Sequence, residues 1–276
     1  MDLKVTQYDE QERVAVITLN RPERRNSWTG RMQTELFWLL DRADNDSAVG
    51  AIVVTGAGES FCVGADFRAL ESHTARGGYS SGTDTDIAKP GYGVHKDFDA
   101  DFASFFGISK PIIAAINGAA AGIGFVLACY CDLRIAVPGA KLTSAHGRLN
   151  LPAEFGLSWL LPRVVGLGRA NDMLLSSRIV AAEEALQWGL VNEIHEPAEL
   201  LSRAVAWGNQ LTREVSPGSL SATKMQVYAD LHQGAADAVH DAAVLLDRMI
   251  QEPDFAEGLR AFLEKRPPAW NGTRMQ

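Results

Sequence analysis

The sequence predicts an α/β protein in which a strand-rich spiral is followed by a helical C-terminal region. Two observations favour this architecture. Before Arg169, short apolar and β-branched runs alternate with glycine-rich turns and segments of helical periodicity. After Arg169, apolar residues recur mostly at helical spacing. We therefore expect a spiral core in residues 1–200 and a helical region in residues 201–276.

The first part of the chain predicts strand, strand, helix and strand in that order. Residues 3–8 and 13–20 predict a hairpin whose second strand is β-branched and buried. Apolar residues at helical spacing predict a helix over 28–43. A short buried strand is expected at 51–55, ended by a turn at 56–58 that contains two glycines.

The next unit repeats this order more loosely. It predicts a helix near 98–106, a strand at 111–116, a helix near 125–131 and a strand at 133–136. Residues 71–97, between the two units, are rich in Gly, Ser, Thr and Asp. This composition favours a long mobile loop or lid, and a disordered insertion without a role is the alternative.

The C-terminal region predicts helices with one strand among them. Helices are expected at 170–177, 181–189, 200–213, 218–232, 235–251 and 255–263, and a strand at 191–194. One side of the helix at 235–251 is lined by Ala238, Ala242, Leu245, Leu246 and Met249. These C-terminal helices suggest an oligomer.

The composition is that of a globular protein. Of 276 residues, 46% are hydrophobic and 22% are charged, and the formal net charge of −8 disfavours nucleic acid or an anionic membrane as partner. The three cysteines do not have the spacing of a zinc site, and no apolar run reaches the roughly 18 residues of a membrane span. The first residues lack the pattern of a secretion signal. We expect a cytoplasmic protein with no bound metal.

Three segments between Ser60 and Arg163 carry the functional prediction. Segments 60–67 and 117–125 are turns of small residues that each follow a short apolar strand. Segment 151–163 places one carboxylate, that of Glu154, in an otherwise apolar run. Two turns that expose backbone N–H groups, together with one acid, suffice for enolate chemistry on a thioester.

Eight segments, in the same order, match the pattern of one protein family. They are 17–26, 53–56, 61–66, 110–118, 131–136, 161–166, 182–191 and 262–266. Through them the chain resembles the enoyl-CoA hydratase/isomerase (crotonase) superfamily over nearly its whole length. The resemblance implies a crotonase-like spiral of ββα units that binds acyl-CoA, with a helical C-terminal trimerisation region. It also implies a homotrimer, or a hexamer formed by two trimers.

The resemblance gives each glycine-containing turn a role. In this family a thioester oxygen lies between two backbone N–H groups, here those of Ala65 and Ile123, which stabilise the enolate. Losing one such donor costs about 2.7–4 kcal/mol of barrier. Gly64, Gly122 and Gly124 would allow close approach of the ligand, or alternatively would only let strand and helix pack tightly. The hydratases have glycine at the position of Ile123, so its side chain must point away from the ligand.

The acidic residues distinguish the possible reactions. Hydratases of the family use two glutamates to activate water, and the matching positions here are Val126 and His146. Glu154 lies where the Δ3,Δ2-enoyl-CoA isomerases, and the isomerase of phenylacetate breakdown, have their single base. Apolar neighbours would raise its pKa and make it a better base. The alternative is a surface glutamate at a helix start. His146 is a second acid/base, a wall of the acyl pocket or a core histidine.

Basic residues are expected to bind the phosphates of coenzyme A. Arg24 and Arg25 lie in the loop that, in the family, usually contacts the adenine, and Arg68 follows the first turn. Lys265 matches a residue that often reaches the coenzyme A of a neighbouring subunit. Charge-assisted hydrogen bonds suit phosphates, although solvated surface charges are the alternative for each residue.

The first turn itself, formed by Ala65, Asp66 and Phe67, is expected to contact the coenzyme. Asp66 is more consistent with a structural residue that bonds neighbouring N–H groups than with a catalytic one.

The hypothesis that we favour is isomerisation of an enoyl-CoA with Glu154 as the base. Alternatives are an enoyl-CoA hydratase with non-standard acids, a thioester hydrolase or C–C bond enzyme that uses His146, and a non-catalytic acyl-CoA binding protein. Coenzyme A enters as part of the substrate, and no dinucleotide fingerprint indicates a further cofactor. The acyl group, and the choice between trimer and hexamer, are left open by the sequence.

Overall fold

The computed structural model describes residues 1–66 and 87–271. Within these ranges the strands are β1 Thr6–Gln11, β2 Val14–Leu19, β3 Ala51–Gly56, β4 Ser60–Cys62, β5 Ile112–Ile116, β6 Ala119–Ala121, β7 Leu133–Ala136, β8 Lys141–Thr143, β9 Val180–Ala181 and β10 Glu193–Ile194. The α-helices are α1 Gly30–Asn45, α2 Ile123–Tyr130, α3 Leu157–Val165, α4 Leu167–Ser176, α5 Ala182–Gln187, α6 Pro197–Glu214, α7 Pro217–Ala229, α8 Ala235–Met249 and α9 Pro253–Glu264.

The larger sheet forms the main core. Its strand order is β1-β2-β3-β5-β7-β10, and only the β1–β2 hairpin is antiparallel within the described ranges. Strands β3 and β5 are buried at every residue, as expected of parallel strands that are covered on both faces. Helix α6 packs across this sheet. The predicted hairpin and the predicted strands at 51–55, 111–116 and 133–136 are therefore confirmed.

The smaller sheet has the order β4-β6-β8-β9 and is built from very short strands. Each of β4, β6 and β8 follows directly after a strand of the larger sheet, and these three run parallel to one another. Successive strand pairs thus add one strand to each sheet, which produces the predicted spiral. The turns after β4 and β6 consequently leave the smaller sheet side by side.

The predicted helix near 98–106 is wrong. Two separate 3-10 turns, Lys96–Phe98 and Ala103–Gly107, stand there instead. Phe102, between them, has φ +64°, which no residue of a right-handed helix adopts. The apolar spacing that suggested a helix arises because Phe98, Phe102, Phe105 and Phe106 are all buried in the core.

The other predicted helices are found to within a few residues at their ends, whereas α3 was not predicted from the sequence. The expected boundary at residue 200 falls inside α6, whose 18 residues pack on the larger sheet. Helix α7 is joined to the start of β7 because Lys224 Nζ and Tyr228 OH donate to the Asp132 carboxylate at 2.7 and 2.8 Å. No helix of the described ranges has the length and apolar character that crossing a bilayer requires.

Candidate active site

The first predicted donor turn is clamped by Trp28. The Trp28 N–H donates to Gly64 O at 2.8 Å, and the Asp66 N–H donates to Trp28 O at 3.0 Å. Gly64 has φ +99°, a conformation that favours glycine. The N–H of Ala65, between these two bonds, donates no backbone hydrogen bond to another described residue, and Ala65 is exposed. The turn therefore presents one backbone donor outward.

The second predicted donor lies at the start of α2. The Gly122 N–H donates to Thr143 O at 3.1 Å, and Ile123 is the first residue of the helix. Its N–H consequently has no acceptor within α2, and the positive end of the helix dipole adds to its donor strength. The Ile123 residue is 6% exposed and belongs to the hydrophobic core. Its burial in that core is compatible with a side chain that leaves the N–H accessible.

The two turns touch each other. A Cβ atom added to Gly64 would lie 3.2 Å from Ala121 O, and one added to Gly122 would lie 3.6 Å from Gly64 Cα. Gly124 has a different role, because a Cβ there would lie 2.2 Å from Cys62 O. Gly124 therefore allows α2 to pack against β4. This was the second of the two roles expected for these glycines, the first being close approach of the ligand.

Glu154 begins a 3-10 turn, Glu154–Gly156, directly before α3. The next two residues are left-handed, with φ +50° at Phe155 and +71° at Gly156. The Glu154 carboxylate is half-buried, has no hydrogen bond or ion pair with any residue in 1–66 or 87–271, and its pKa is raised by burial. A desolvated carboxylate without a partner is a stronger base than an exposed one.

Aromatic contacts join the Glu154 turn to both donor turns. The Phe155 ring meets the Phe102 ring at 5.2 Å, and Phe102 meets Trp28, which clamps the first turn, at 5.8 Å. The Tyr130 hydroxyl donates to Phe155 O at 2.7 Å, and Tyr130 ends the helix that Ile123 begins. The fold therefore brings the neighbourhoods of all three predicted residues together through direct contacts.

Val126 and His146, which stand at the positions of the two glutamates of the hydratases, have different surroundings. Val126 is 2% exposed in the core, so it offers no polar group to a water molecule. His146 follows β8 and begins the 3-10 turn His146–Leu149, and it is 8% exposed. Burial lowers the pKa of His146, which favours the neutral imidazole at pH 7.

The predicted phosphate-binding residues lie on the surface where the structure describes them. Arg24 and Arg25 are exposed in the loop after β2, and Lys265 is exposed just after α9. None of these three forms an ion pair within the described ranges. Phe67 and Arg68 lie outside the described residues, as does most of the predicted loop at 71–97.

Asp66 joins the first donor turn to the loop after β2. Its carboxylate accepts hydrogen bonds from Arg21 Nη2 at 3.1 Å and from Ser27 Oγ at 3.2 Å. The Arg21 guanidinium also donates to Ser27 O. Arg21 was not among the predicted site residues, because its role depends on a partner 45 residues away.

Two asparagines, the buried Asn26 and the half-buried Asn117, were also not among the predicted site residues. The Asn26 amide donates to Ala57 O and Ser60 O at 2.9 and 2.7 Å. The Asn117 amide donates to Gly56 O and Gly58 O, both at 2.8 Å. These bonds fix the connection from β3 to β4, which precedes the first donor turn. In the sequence, Asn26 is one residue of the polar turn after β2, and Asn117 is the residue directly after β5. Neither position by itself indicates a hydrogen bond to a distant loop.

These features define an enzyme of the enoyl-CoA hydratase/isomerase family, to which this chain belongs. The family model described as "Enoyl-CoA hydratase/isomerase" matches residues 9–273. The chain is an acyl-CoA enzyme with the crotonase fold.

Individual relatives carry both reaction names. The chain is 32% identical over 264 residues to 1,2-epoxyphenylacetyl-CoA isomerase of Escherichia coli, covering 94% of this chain and 95% of the relative. It is 30% identical over 267 residues to short-chain-enoyl-CoA hydratase of Clostridium acetobutylicum, covering 96% and 97%. The crystal structure of an enoyl-CoA hydratase from Bacillus anthracis superposes with a TM-score of 0.84 at 26% identity, covering 98% of this chain and 100% of that chain.

Proposed function

We propose that this enzyme moves the double bond of an enoyl-CoA, with Glu154 as its single base. The observation that carries the proposal is the half-buried Glu154 carboxylate, which has a raised pKa and no partner among the described residues. The N–H groups of Ala65 and Ile123 bind the thioester oxygen. The relative named as an isomerase supports isomerisation of an acyl-CoA in general, since the substrate in its name is an epoxide and not a 3-enoyl thioester.

The reaction needs two proton transfers and no other reactant. The Glu154 carboxylate removes a proton from C2 of a 3-enoyl thioester, and the electron pair moves onto the thioester oxygen to give a dienolate. The Ala65 and Ile123 N–H groups stabilise this charge as it forms. The Glu154 carboxylic acid then returns a proton to C4, and the double bond ends between C2 and C3.

Hydration is the second candidate, because His146 offers a buried, neutral imidazole. In that reaction His146 and Glu154 together would orient and activate a water molecule that adds to a 2-enoyl-CoA. The relative named as a hydratase supports this alternative. The apolar Val126 counts against it, since a valine side chain cannot hydrogen-bond the attacking water.

The two reactions differ in substrate and in product mass. The purified enzyme would be incubated separately with a 3-enoyl-CoA and a 2-enoyl-CoA of matched chain length, and the products separated and weighed by mass spectrometry. The proposal predicts a 2-enoyl-CoA of unchanged mass from the 3-enoyl substrate. A 3-hydroxyacyl-CoA as the main product of the 2-enoyl substrate, with no isomer from the other, would refute it.

We also propose that Arg24, Arg25 and Lys265 bind the phosphates of coenzyme A, and that the enzyme forms a homotrimer or hexamer. The exposed arginines support the first proposal. The second is supported by large apolar side chains on α8 and α9, such as Leu246 and Phe262, which are 62% and 81% exposed. Apolar surface of this extent favours a protein–protein contact.

A further inference from the structure

Resting on the function proposed above, we propose that Tyr130 is a positioning residue that fixes the Glu154 carboxylate relative to the Ile123 donor. Tyr130 does not contact the reacting atoms in this proposal. It acts through the backbone carbonyl of Phe155, the residue that follows the base.

Helix α2 carries both ends of this arrangement. Ile123 is its first residue and Tyr130 its last, so the two are separated by roughly 10 Å along a rigid helix at the usual rise per residue. The Tyr130 hydroxyl donates to Phe155 O at 2.7 Å. One short helix therefore holds the donor at its start and the turn of the base at its end.

The Glu154 turn needs such a partner because its backbone is strained. Phe155 has φ +50° and ψ +38°, a left-handed conformation that a bulky residue rarely adopts without support from its surroundings. Gly156 follows with φ +71°, and a Cβ added there would lie 2.8 Å from the Tyr130 hydroxyl. The hydroxyl thus binds one left-handed residue and occupies the space next to the other.

Tyr130 stays a donor at neutral pH. It is 3% exposed, and burial raises its pKa to about 12. Its ring lies 6.1 Å from the Phe102 ring and 5.2 Å from the Phe106 ring, so aromatic contacts hold the side chain even without the hydroxyl.

Tyr130→Phe removes the hydroxyl and keeps the ring. We expect kcat for a 3-enoyl-CoA to fall about tenfold, equal to about 1.4 kcal/mol of barrier, with KM nearly unchanged. The acid limb of the pH–kcat profile should move to lower pH, because a looser turn admits water to Glu154 and reduces the effect of burial. A purely structural role would lower the melting temperature but move neither kcat nor the acid limb.

Tyr228→Phe is the matched control. It also deletes a tyrosine hydroxyl in a partly buried hydrogen bond, the one that donates to Asp132 Oδ1 at 2.8 Å, but this bond anchors α7 rather than the Glu154 turn. We expect a lower melting temperature with kcat and the acid limb as in the wild type.

Gly156→Ala tests the same contact from the other side and should reproduce the kinetic effects of Tyr130→Phe. In a Glu154→Gln background, Tyr130→Phe should cause no further loss of the residual rate. The inference is overturned if Tyr130→Phe keeps the wild-type kcat and acid limb, or if it lowers the Glu154→Gln rate by the same factor as the wild-type rate. An inactive Glu154→Gln beside a normal Tyr130→Phe would refute this inference alone, whereas an active Glu154→Gln would refute the proposed function.

Discussion

Replacement of Glu154 by glutamine removes the proposed base and keeps the shape of the side chain. A general base contributes typically about 10²–10⁴-fold to a rate, which corresponds to about 2.7–5.4 kcal/mol of barrier. We expect a loss of kcat in this range for 3-enoyl-CoA, with KM little changed because the coenzyme contacts are intact. Steady-state kinetics with the 3-enoyl thioester measure both constants.

Glu154→Gln should also change the stability of the protein. Its kcat should fall, whereas its stability at neutral pH should rise. Burial raises the pKa of Glu154 in the folded protein, so the folded state binds this proton more tightly than the unfolded state does. Stability therefore decreases as pH rises from the unfolded pKa, about 4.3, through the higher folded pKa, and the ionised carboxylate destabilises the protein at neutral pH.

The uncharged glutamine escapes this effect. We expect Glu154→Gln to melt at a higher temperature than the wild type at pH 7, and the difference to shrink below the unfolded pKa. Thermal denaturation at both pH values tests this. If the variant keeps its turnover of 3-enoyl-CoA and melts at a lower temperature than the wild type at pH 7, Glu154 is a stabilising surface residue and not the base.

Three further predictions test the rest of the site. Gly64→Ala places a Cβ atom 3.2 Å from Ala121 O on a residue with φ +99°. It should displace the Ala65 N–H donor and lower kcat by about 10²-fold, and an unchanged kcat in steady-state assays would count against that donor. The Arg24→Ala/Arg25→Ala double variant should raise KM for acyl-CoA and abolish any preference over the 3′-dephospho form, and unchanged KM values would place these arginines outside the site. His146→Ala should lower the melting temperature yet keep most isomerase activity, while a loss beyond about 10²-fold would show that a single base is not enough.

Strands that are buried on both faces could be predicted from the sequence. Strands β3 and β5 are buried on both faces, so their continuous apolar runs could be recognised locally. Strands β4, β6 and β8 were missed because three residues are too few to show any periodicity. The prediction of a helix near 98–106 was wrong because its aromatic residues are spaced as in a helix. In the structure, two 3-10 turns bury these residues instead.

The candidate site was predictable where family motifs are contiguous. Ala65, Ile123 and Glu154 each stand in a short segment that can be matched along the chain. Arg21 and Tyr130 could not be found in this way, since their partners lie 45 and 25 residues away. Nothing in an apolar helical run indicates that the last tyrosine donates a hydrogen bond to a distant turn.

In the proposed mechanism one carboxylate moves a proton and no water is added. The decisive experiment is incubation of the wild type and Glu154→Gln with a 3-enoyl-CoA in D2O, followed by mass spectrometry and location of the label. We expect the wild type to form 2-enoyl-CoA without added water, with deuterium at C4 only in the turnovers in which the Glu154 proton exchanges with solvent before its return. The variant should form almost no 2-enoyl-CoA. A product heavier by one D2O molecule, or formation of 2-enoyl-CoA by the variant at the wild-type rate, would overturn the mechanism.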